Sequence, residues 1–412
     1  MNNHVTKLWN KNFITFVIGM ELSLISNSLL RFVLPLYILI NTGNPAIMGM
    51  VLTLCHLPYI VLGPIGGVAA DRLNKRKILA MMNLVSGLVI IPYLFITQLF
   101  YVIPSAIILL FVISAIESIM SPSSGASMPV LVPKDALVKV NSLSFVLSTS
   151  SVIGAPIVGG FIMERFGVTP IIIISAVSFI MAAFVKSITK IPFTKQKMKH
   201  GAVKAVLIDL KDALAYILRE NPYLSKIIIL NTIGSIFLTP MISIGLPVFV
   251  STYLGRGESV LGLLQGIIVF GGTLGVIALQ LIGEKTTVKL VRPIIFISLF
   301  ILASTGVVFV LSNHDNLRFL YLIGSFFSII ALTTILETII FADVGQKTSE
   351  FMVGKVMAIM VSFLVLGYAI GDSLYGFLLR RFIYHSSPGY VLVIMAGIGM
   401  VVALFTKVKG DG

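Results

Sequence analysis

About a dozen times along this chain, roughly 20 apolar residues follow one another with few or no charges, and each run can cross a hydrocarbon core of about 30 Å as a helix. Backbone groups left unpaired in lipid are costly, so a spanning segment must be a helix or part of a closed barrel. Runs such as IIPYLFITQLF and IIIISAVSFIMAAFV lack the alternation of a barrel strand, which leaves helices. A water-soluble fold is excluded on the same ground. Of the 412 residues 57% are hydrophobic and only 11% charged, against roughly a quarter charged in an ordinary soluble domain.

The hydropathy pattern predicts spans over 12–40, 46–70, 78–98, 102–121, 139–164 and 169–189, and then over 223–250, 259–282, 293–312, 318–341, 354–380 and 388–406. Between the two sets lies a polar stretch whose middle, from Ala202 to Arg219, has the apolar spacing of a surface helix. The expected domains are therefore 1–190, a linker with an amphipathic helix over 191–222, and 223–412. The N-terminal segment runs into the first span with no cleavage signature, so that span is expected to be retained.

The net charge of +14 would suggest a nucleic-acid surface in a soluble protein. Position argues for a membrane instead. With a cytoplasmic N-terminus and an even number of spans, about 24 of the 30 Lys and Arg fall inside and about 5 outside, as the positive-inside rule requires. Arg72, Lys75, Arg76 and Lys77 cluster after span two, and Lys285, Lys289 and Arg292 after span eight. Both termini are thus expected in the cytoplasm of a cell membrane that the chain crosses repeatedly, with bilayer lipid and not nucleic acid as its surroundings. The one cysteine, Cys55, supports neither a disulfide framework nor a cysteine metal site. Neither a phosphate-binding GxxxxGK[ST] loop nor an HExxH metal pattern occurs, so no cofactor or metal is expected.

The two basic loops occupy matching places, and the halves are weakly repeated. A shift of 216 residues lays LVKVNSLSFVLSTSSVIGAPIVGGFIMERF on VGKVMAIMVSFLVLGYAIGDSLYGFLLRRF and superposes Lys139 on Lys355, Gly160 on Gly376, and Arg165 on Arg381. A nearby offset lays LPLY, with Pro35, on LPVF, with Pro247. The expected fold is all-α: twelve transmembrane helices in two six-helix bundles related by a pseudo-twofold axis along the membrane normal, with a midplane site between them.

The sharpest local signal is GGVAADRLNKRK, Gly66 to Lys77. It resembles the loop G-x-x-x-D-R/K-x-G-R/K-R/K of the major facilitator superfamily, with Gly67, Asp71, Arg72, Lys75 and Arg76 on the motif and Asn74 in place of its second glycine. Asn is the non-glycine residue most tolerant of a left-handed turn. In this loop Gly67 is expected to let two helices approach closely, and Asp71 to form a contact that holds one conformational state. The basic cluster equally serves to hold the loop in the cytoplasm. Span five carries SVIGAPIVGGF, similar to the G-P-x-x-G-G motif of the antiporter branches: Pro156, Gly159 and Gly160 match, with Ala155 for the first glycine and Gly154 before it. A proline and small residues allow such a helix to kink and seal against a neighbour.

Ionisable residues inside spans cost at least a few kcal/mol and point to function. They are Glu21 and Arg31 in span one, Glu117 in span four, Glu337 in span ten and Asp372 in span eleven. The family resemblance implies that spans one, four, seven and ten line the cavity, which places Glu21, Glu117 and Glu337 there. Ten residues separate Glu21 from Arg31, roughly 15 Å in height and on different sides of the helix, whereas Glu117 stands at a height between them. Glu21, Glu117, Glu337 and Asp372 are the proton-coupling candidates and Arg31 the counter-charge; structural ion pairing is the competing role. His56 is expected to be hydrogen-bonded within the bundle.

The resemblance is to the bacterial macrolide and multidrug efflux branch, with RFVLPLYILINTG and MPVLVPKDALVKVNSL as its further counterparts. It implies a monomeric proton-coupled antiporter exporting hydrophobic or amphipathic compounds by alternating access. An exporter or flippase of a lipid or siderophore, a nutrient symporter, and, remotely, an integral membrane enzyme on a lipid-linked substrate remain alternatives.

Overall fold

The computed structural model describes residues 10–96, 102–193, 202–282, 288–383 and 386–405. Thirteen α-helices run in order: α1 Lys11–Thr42, α2 Pro45–Arg72, α3 Lys75–Ile96, α4 Val102–Ser127, α5 Leu137–Phe166, α6 Thr169–Ile188, α7 Ala202–Ala215, α8 Pro222–Phe237, α9 Glu258–Ile282, α10 Val291–Leu311, α11 Asp315–Lys347, α12 Val353–Phe382 and α13 Gly389–Phe405. Among the described residues eleven helical segments are long and apolar enough to cross a membrane, and α13 is a shorter apolar helix. Helix α7 covers Ala202–Ala215 and runs directly into a wide π-helical turn over Tyr216–Glu220. Turns between spans are tight where the chain permits: Gly43 takes a φ of 61° to end α1, and the Asn44 side chain caps α2 by accepting from the Ala46 N–H at 3.0 Å.

Span seven departs from expectation. Hydropathy predicts one helix over 223–250, but α8 stops at Phe237 and the chain continues in two wide π-helical turns, Met241–Gly245 and Val248–Tyr253. Pro240 and Pro247 each lack an N–H for the α-helical ladder, and the turns after them close through wider bonds, from the Leu246 N–H to the Met241 carbonyl and from the Leu254 N–H to the Phe249 carbonyl.

The chain divides into two compact units. One takes the chain up to Tyr37 together with Pro58–Val206; the other takes Ile38–Leu57 and everything from Leu207. Helix α2 therefore serves both, its first half in the second unit and its remainder in the first.

In the first unit α3 packs along α6 and against α4. Gly87 makes the α3–α6 approach possible: a Cβ there would stand 3.1 Å from the Ala176 carbonyl oxygen. Phe13, Phe16, Leu79, Met120, Leu131 and Val140 close the core around the start of α1. In the second unit α10 packs along α13 and against α11, while α9 lies on α11 and α8 on α12. Spans three, six and four thus pair as spans nine, twelve and ten do, as an internal repeat requires. The α10–α13 contact is again made by glycine, Gly306 against Gly389, where a Cβ on Gly306 would come 2.5 Å from the Gly389 carbonyl oxygen.

Backbone cannot yield as a flexible side chain does. Gly306→Val is expected to destabilise the protein by about 1–3 kcal/mol, and Gly324→Ala, where an added Cβ meets nothing within 4 Å, to leave it unchanged. Melting followed by fluorescence-detected size exclusion separates the two.

Candidate functional site

The first unit concentrates its buried charge around α1. Lys186, in the last turn of α6, is 1% exposed. Its stem lies against Gly19, where a Cβ would come 2.9 Å from the lysine Cγ, so only glycine leaves room for it. The Lys186 ammonium donates to Ser23 Oγ at 2.8 Å, the Ser23 hydroxyl donates to Asn83 Oδ1 of α3, and the Asn83 amide donates to the Leu79 carbonyl at 2.6 Å and to Met120 Sδ at 2.9 Å. Glu117 of α4, half-buried, is the acid whose charge acts on this lysine, and Lys186 outweighs Arg31 among the cations acting on Glu117. Arg31 is held by Tyr59 and Ser114: its Nη2 donates to the Tyr59 hydroxyl at 2.8 Å and to Ser114 Oγ at 3.4 Å, and its guanidinium lies 5.1 Å from the Tyr59 ring centre. Ser114 and Glu117, three residues apart, share one face of α4. Four helices, α1, α3, α4 and α6, thus present one acid and two bases around a hydrogen-bonded string.

Glu21 stands outside this cluster. Two residues from both Gly19 and Ser23, it points to the other side of α1. There Ser151 of α5 donates to its Oε2 at 2.7 Å, while its buried Oε1 accepts no hydrogen bond among the described residues.

In the second unit Asp372 on α12 is 1% exposed, with both carboxylate oxygens engaged. His56 Nε2 stands 3.1 Å from Oδ2, and the Ser243 hydroxyl, in the first wide turn after α8, donates to Oδ1 at 2.5 Å. One helical turn earlier on α12, the Tyr368 hydroxyl donates to Glu337 Oε1 of α11 at 3.2 Å. Glu337 and Asp372, on different helices, each have their own hydrogen-bond partners, and the two groups come nearest where the Tyr368 and His56 ring centres stand 5.9 Å apart.

The family model described as Major Facilitator Superfamily matches residues 16–371. The chain belongs to the Major Facilitator Superfamily. It is therefore a multi-pass membrane protein of a transporter family. It is similar to macrolide efflux protein A of Streptococcus pyogenes, 27% identical over 228 residues that cover 55% of each chain, and to the multidrug resistance protein MdtG of Escherichia fergusonii, 29% identical over 217 residues and half of each chain. The chain thus spans about half the length of the curated relatives it matches. Among solved structures it resembles the nucleoside transporter NupG with a TM-score of 0.75 at 13% identity, covering 96% of this chain and 98% of that one. It resembles a D-xylose-proton symporter with a TM-score of 0.72 at 14% identity, covering 96% of each. At these identities the likeness is one of fold.

Within the superfamily loop, the close approach falls one residue earlier than expected. A Cβ on Gly67 would meet nothing within 4 Å, whereas one on Gly66 would come 2.8 Å from Ile119 Cα and from the Ser118 carbonyl oxygen of α4. Gly66 and not Gly67 brings α2 onto α4. Arg72 ends α2, and its buried Nη1 makes no hydrogen bond among the described residues. The side chain of Asp71 lies outside the described residues, as does Lys285. Asn74 acts as the cap of α3, its Oδ1 accepting from the Lys77 N–H at 3.3 Å. Lys75 and Arg76 form the first turn of that helix, the first half-buried and the second exposed. On α5, Pro156 and Gly160 are buried, and a Cβ on Gly159 would stand 3.2–3.3 Å from Val33, Leu29 and Phe32 of α1. Gly154 has open space around its Cα.

Lys186 is the buried cation that sequence reasoning missed. Near the end of span six, four residues before Lys190, it looks like an interfacial anchor. The signal that marks it as buried is the set of partners on other helices, Gly19, Ser23 and Asn83, which only the fold assembles.

A buried charge that loses the opposite charge acting on it is destabilised. Lys186→Met alone is expected to lower thermal stability sharply, and Glu117→Gln in the same chain to restore part of the loss; additive effects in this double-mutant cycle would show the two charges to be uncoupled.

Proposed function

We propose that this transporter is a proton-coupled antiporter exporting hydrophobic or amphipathic compounds, macrolide-like drugs among them, by alternating access. The observation that carries this reading is Glu117, an acid on α4 within a membrane span whose surroundings include the cations Lys186 and Arg31. When Glu117 takes up a proton, two cations lose their counter-charge, and buried charge without a partner is costly. Helix packing around the cluster then depends on proton occupancy, which supplies the differential free energy a conformational equilibrium needs. Arg31 is the counter-charge, and Glu21, Glu337 and Asp372 are further proton-binding groups.

The substrate class is supported by the names of the relatives, macrolide efflux protein A and the multidrug resistance protein MdtG. The packing of Gly159 on α1 suits a helix that seals against leak. In this reading the loop from Gly67 through Asp71, Arg72, Asn74, Lys75 and Arg76 is the conformational switch, both termini are cytoplasmic, the domains are 1–190 and 223–412 with the linker between, and the chain works as a monomer.

Dye and macrolide efflux from an efflux-deficient host, with and without an uncoupler, tests the proposal. Wild-type efflux is expected to collapse with the uncoupler, and Glu117→Gln to fall to that same level while inserting normally; uncoupler-sensitive efflux by Glu117→Gln removes Glu117 from the mechanism. Asp71→Asn is expected to slow turnover more than it weakens substrate binding, and weakened binding with normal turnover would count against a switch.

A further inference from the structure

The first half of α2 is held in the second unit by a stripe of small and polar residues. Gly49, Thr53 and His56 recur at helical spacing on one face. A Cβ on Gly49 would stand 2.5 Å from the Asp372 carbonyl oxygen, and one on Gly376 would stand 2.8 Å from the Pro45 carbonyl oxygen and 3.1 Å from Gly49 Cα, so the two backbones touch. Thr53 Oγ1 donates to the Ala369 carbonyl at 2.8 Å and stands 2.8 Å from Ser373 Oγ. At the end of this stripe His56, its side chain 18% exposed, meets Asp372, its side chain 2% exposed.

We infer that His56 and Asp372 form a proton-binding site whose occupancy decides whether the first half of α2 stays packed on α12. The groups facing the pair from each packed element are few. Helix α12 brings Tyr368, whose ring centre lies 5.9 Å from that of His56; α11 brings Glu337 through its bond to Tyr368; the wide turn after α8 brings the neutral Ser243. No basic group other than His56 faces Asp372 among these contacts. With one proton on the pair, imidazolium and carboxylate neutralise each other and the contact is satisfied. As pH rises and that proton leaves, Asp372 is a deeply buried carboxylate supported only by neutral donors, with Glu337 as a second acid beyond Tyr368. The packed arrangement is therefore favoured on the acid side and weakened on the alkaline side.

The consequence reaches beyond the pair because α2 is one helix from Pro45 to Arg72. Its first half belongs to the unit of Asp372 and its second half to the unit of Glu117. Proton loss at His56 frees the end of a rod whose other end is fixed elsewhere. This site rests on the reading of Asp372 as a proton-binding group and not on Glu117 or on a drug as cargo: a transporter with any substrate can carry it.

The test uses the full chain in lipid nanodiscs without substrate, in a Cys55→Ser background, with spin labels on the exposed positions Met50→Cys of α2 and Leu311→Cys of α10. Pulsed dipolar spectroscopy is expected to give a short-distance population that dominates at about pH 5.5 and shrinks at least about twofold by about pH 9. His56→Gln is expected to remove the pH response, His56→Lys to hold the short distance at both pH values, and Glu117→Gln to leave the response intact. Identical distances at both pH values in the labelled background, or a response that survives His56→Gln, would overturn the inference, as would a response lost in Glu117→Gln but kept in His56→Gln. If His56→Gln is not monodisperse, His56→Lys decides, since a retained pH response there also overturns it. None of these outcomes depends on the efflux assay, so antiport and this site can fail separately.

Discussion

Charge inside lipid is the constraint from which the rest of this structure follows. A bilayer offers no water to hydrate an ammonium or a carboxylate, so each ionisable group within a span must meet a partner from another helix. Lys186 shows what this demands of the sequence. Its stem needs the missing side chain of Gly19, its ammonium needs Ser23, and Ser23 needs Asn83 behind it. A charge set into α6 thereby fixes residue choices on α1 and α3, and the acid on α4 supplies the compensating sign. Positions that look like ordinary small or polar residues in a greasy helix are the complement of one lysine.

Asp372 imposes the same demand by another route. Its partners come from a histidine on α2 and a serine presented by a wide helical turn, and that turn exists because prolines at 240 and 247 prevent an ordinary helix. The matching proline in the first half, Pro35, lies inside the unbroken helix α1. Span one lacks the second proline that span seven has at 240, so the repeated halves diverge where the second half uses irregular backbone to reach a buried carboxylate. Irregular backbone at membrane depth is tolerated where protein buries it, and the residues around these turns are buried.

Glycine sets how closely the helices stand. The α3–α6 and α10–α13 contacts rest on Gly87 and on Gly306 with Gly389, and the α2–α12 contact rests on Gly49 with Gly376. In lipid, where tails are as apolar as leucine, close backbone approach and interhelical hydrogen bonds carry association that the hydrophobic effect carries in water.

Sequence by itself determined that the chain crosses a membrane as helices, roughly where each span runs, that the two halves are repeats, and which family they belong to. Those properties depend on length, hydropathy and local motifs, which are legible one segment at a time. It also marked Glu21, Glu117, Glu337 and Asp372, because an acid in an apolar run is conspicuous wherever it points. Tertiary structure alone decided the partners: Lys186 with Ser23, Glu21 with Ser151, His56 with Asp372, and Gly66 instead of Gly67 as the point of contact with α4. A helix turns its side chains through about 100° per residue, so a one-residue difference in which face meets a neighbour changes every contact. That rotation is set by packing with distant spans, and no stretch of sequence read alone contains it.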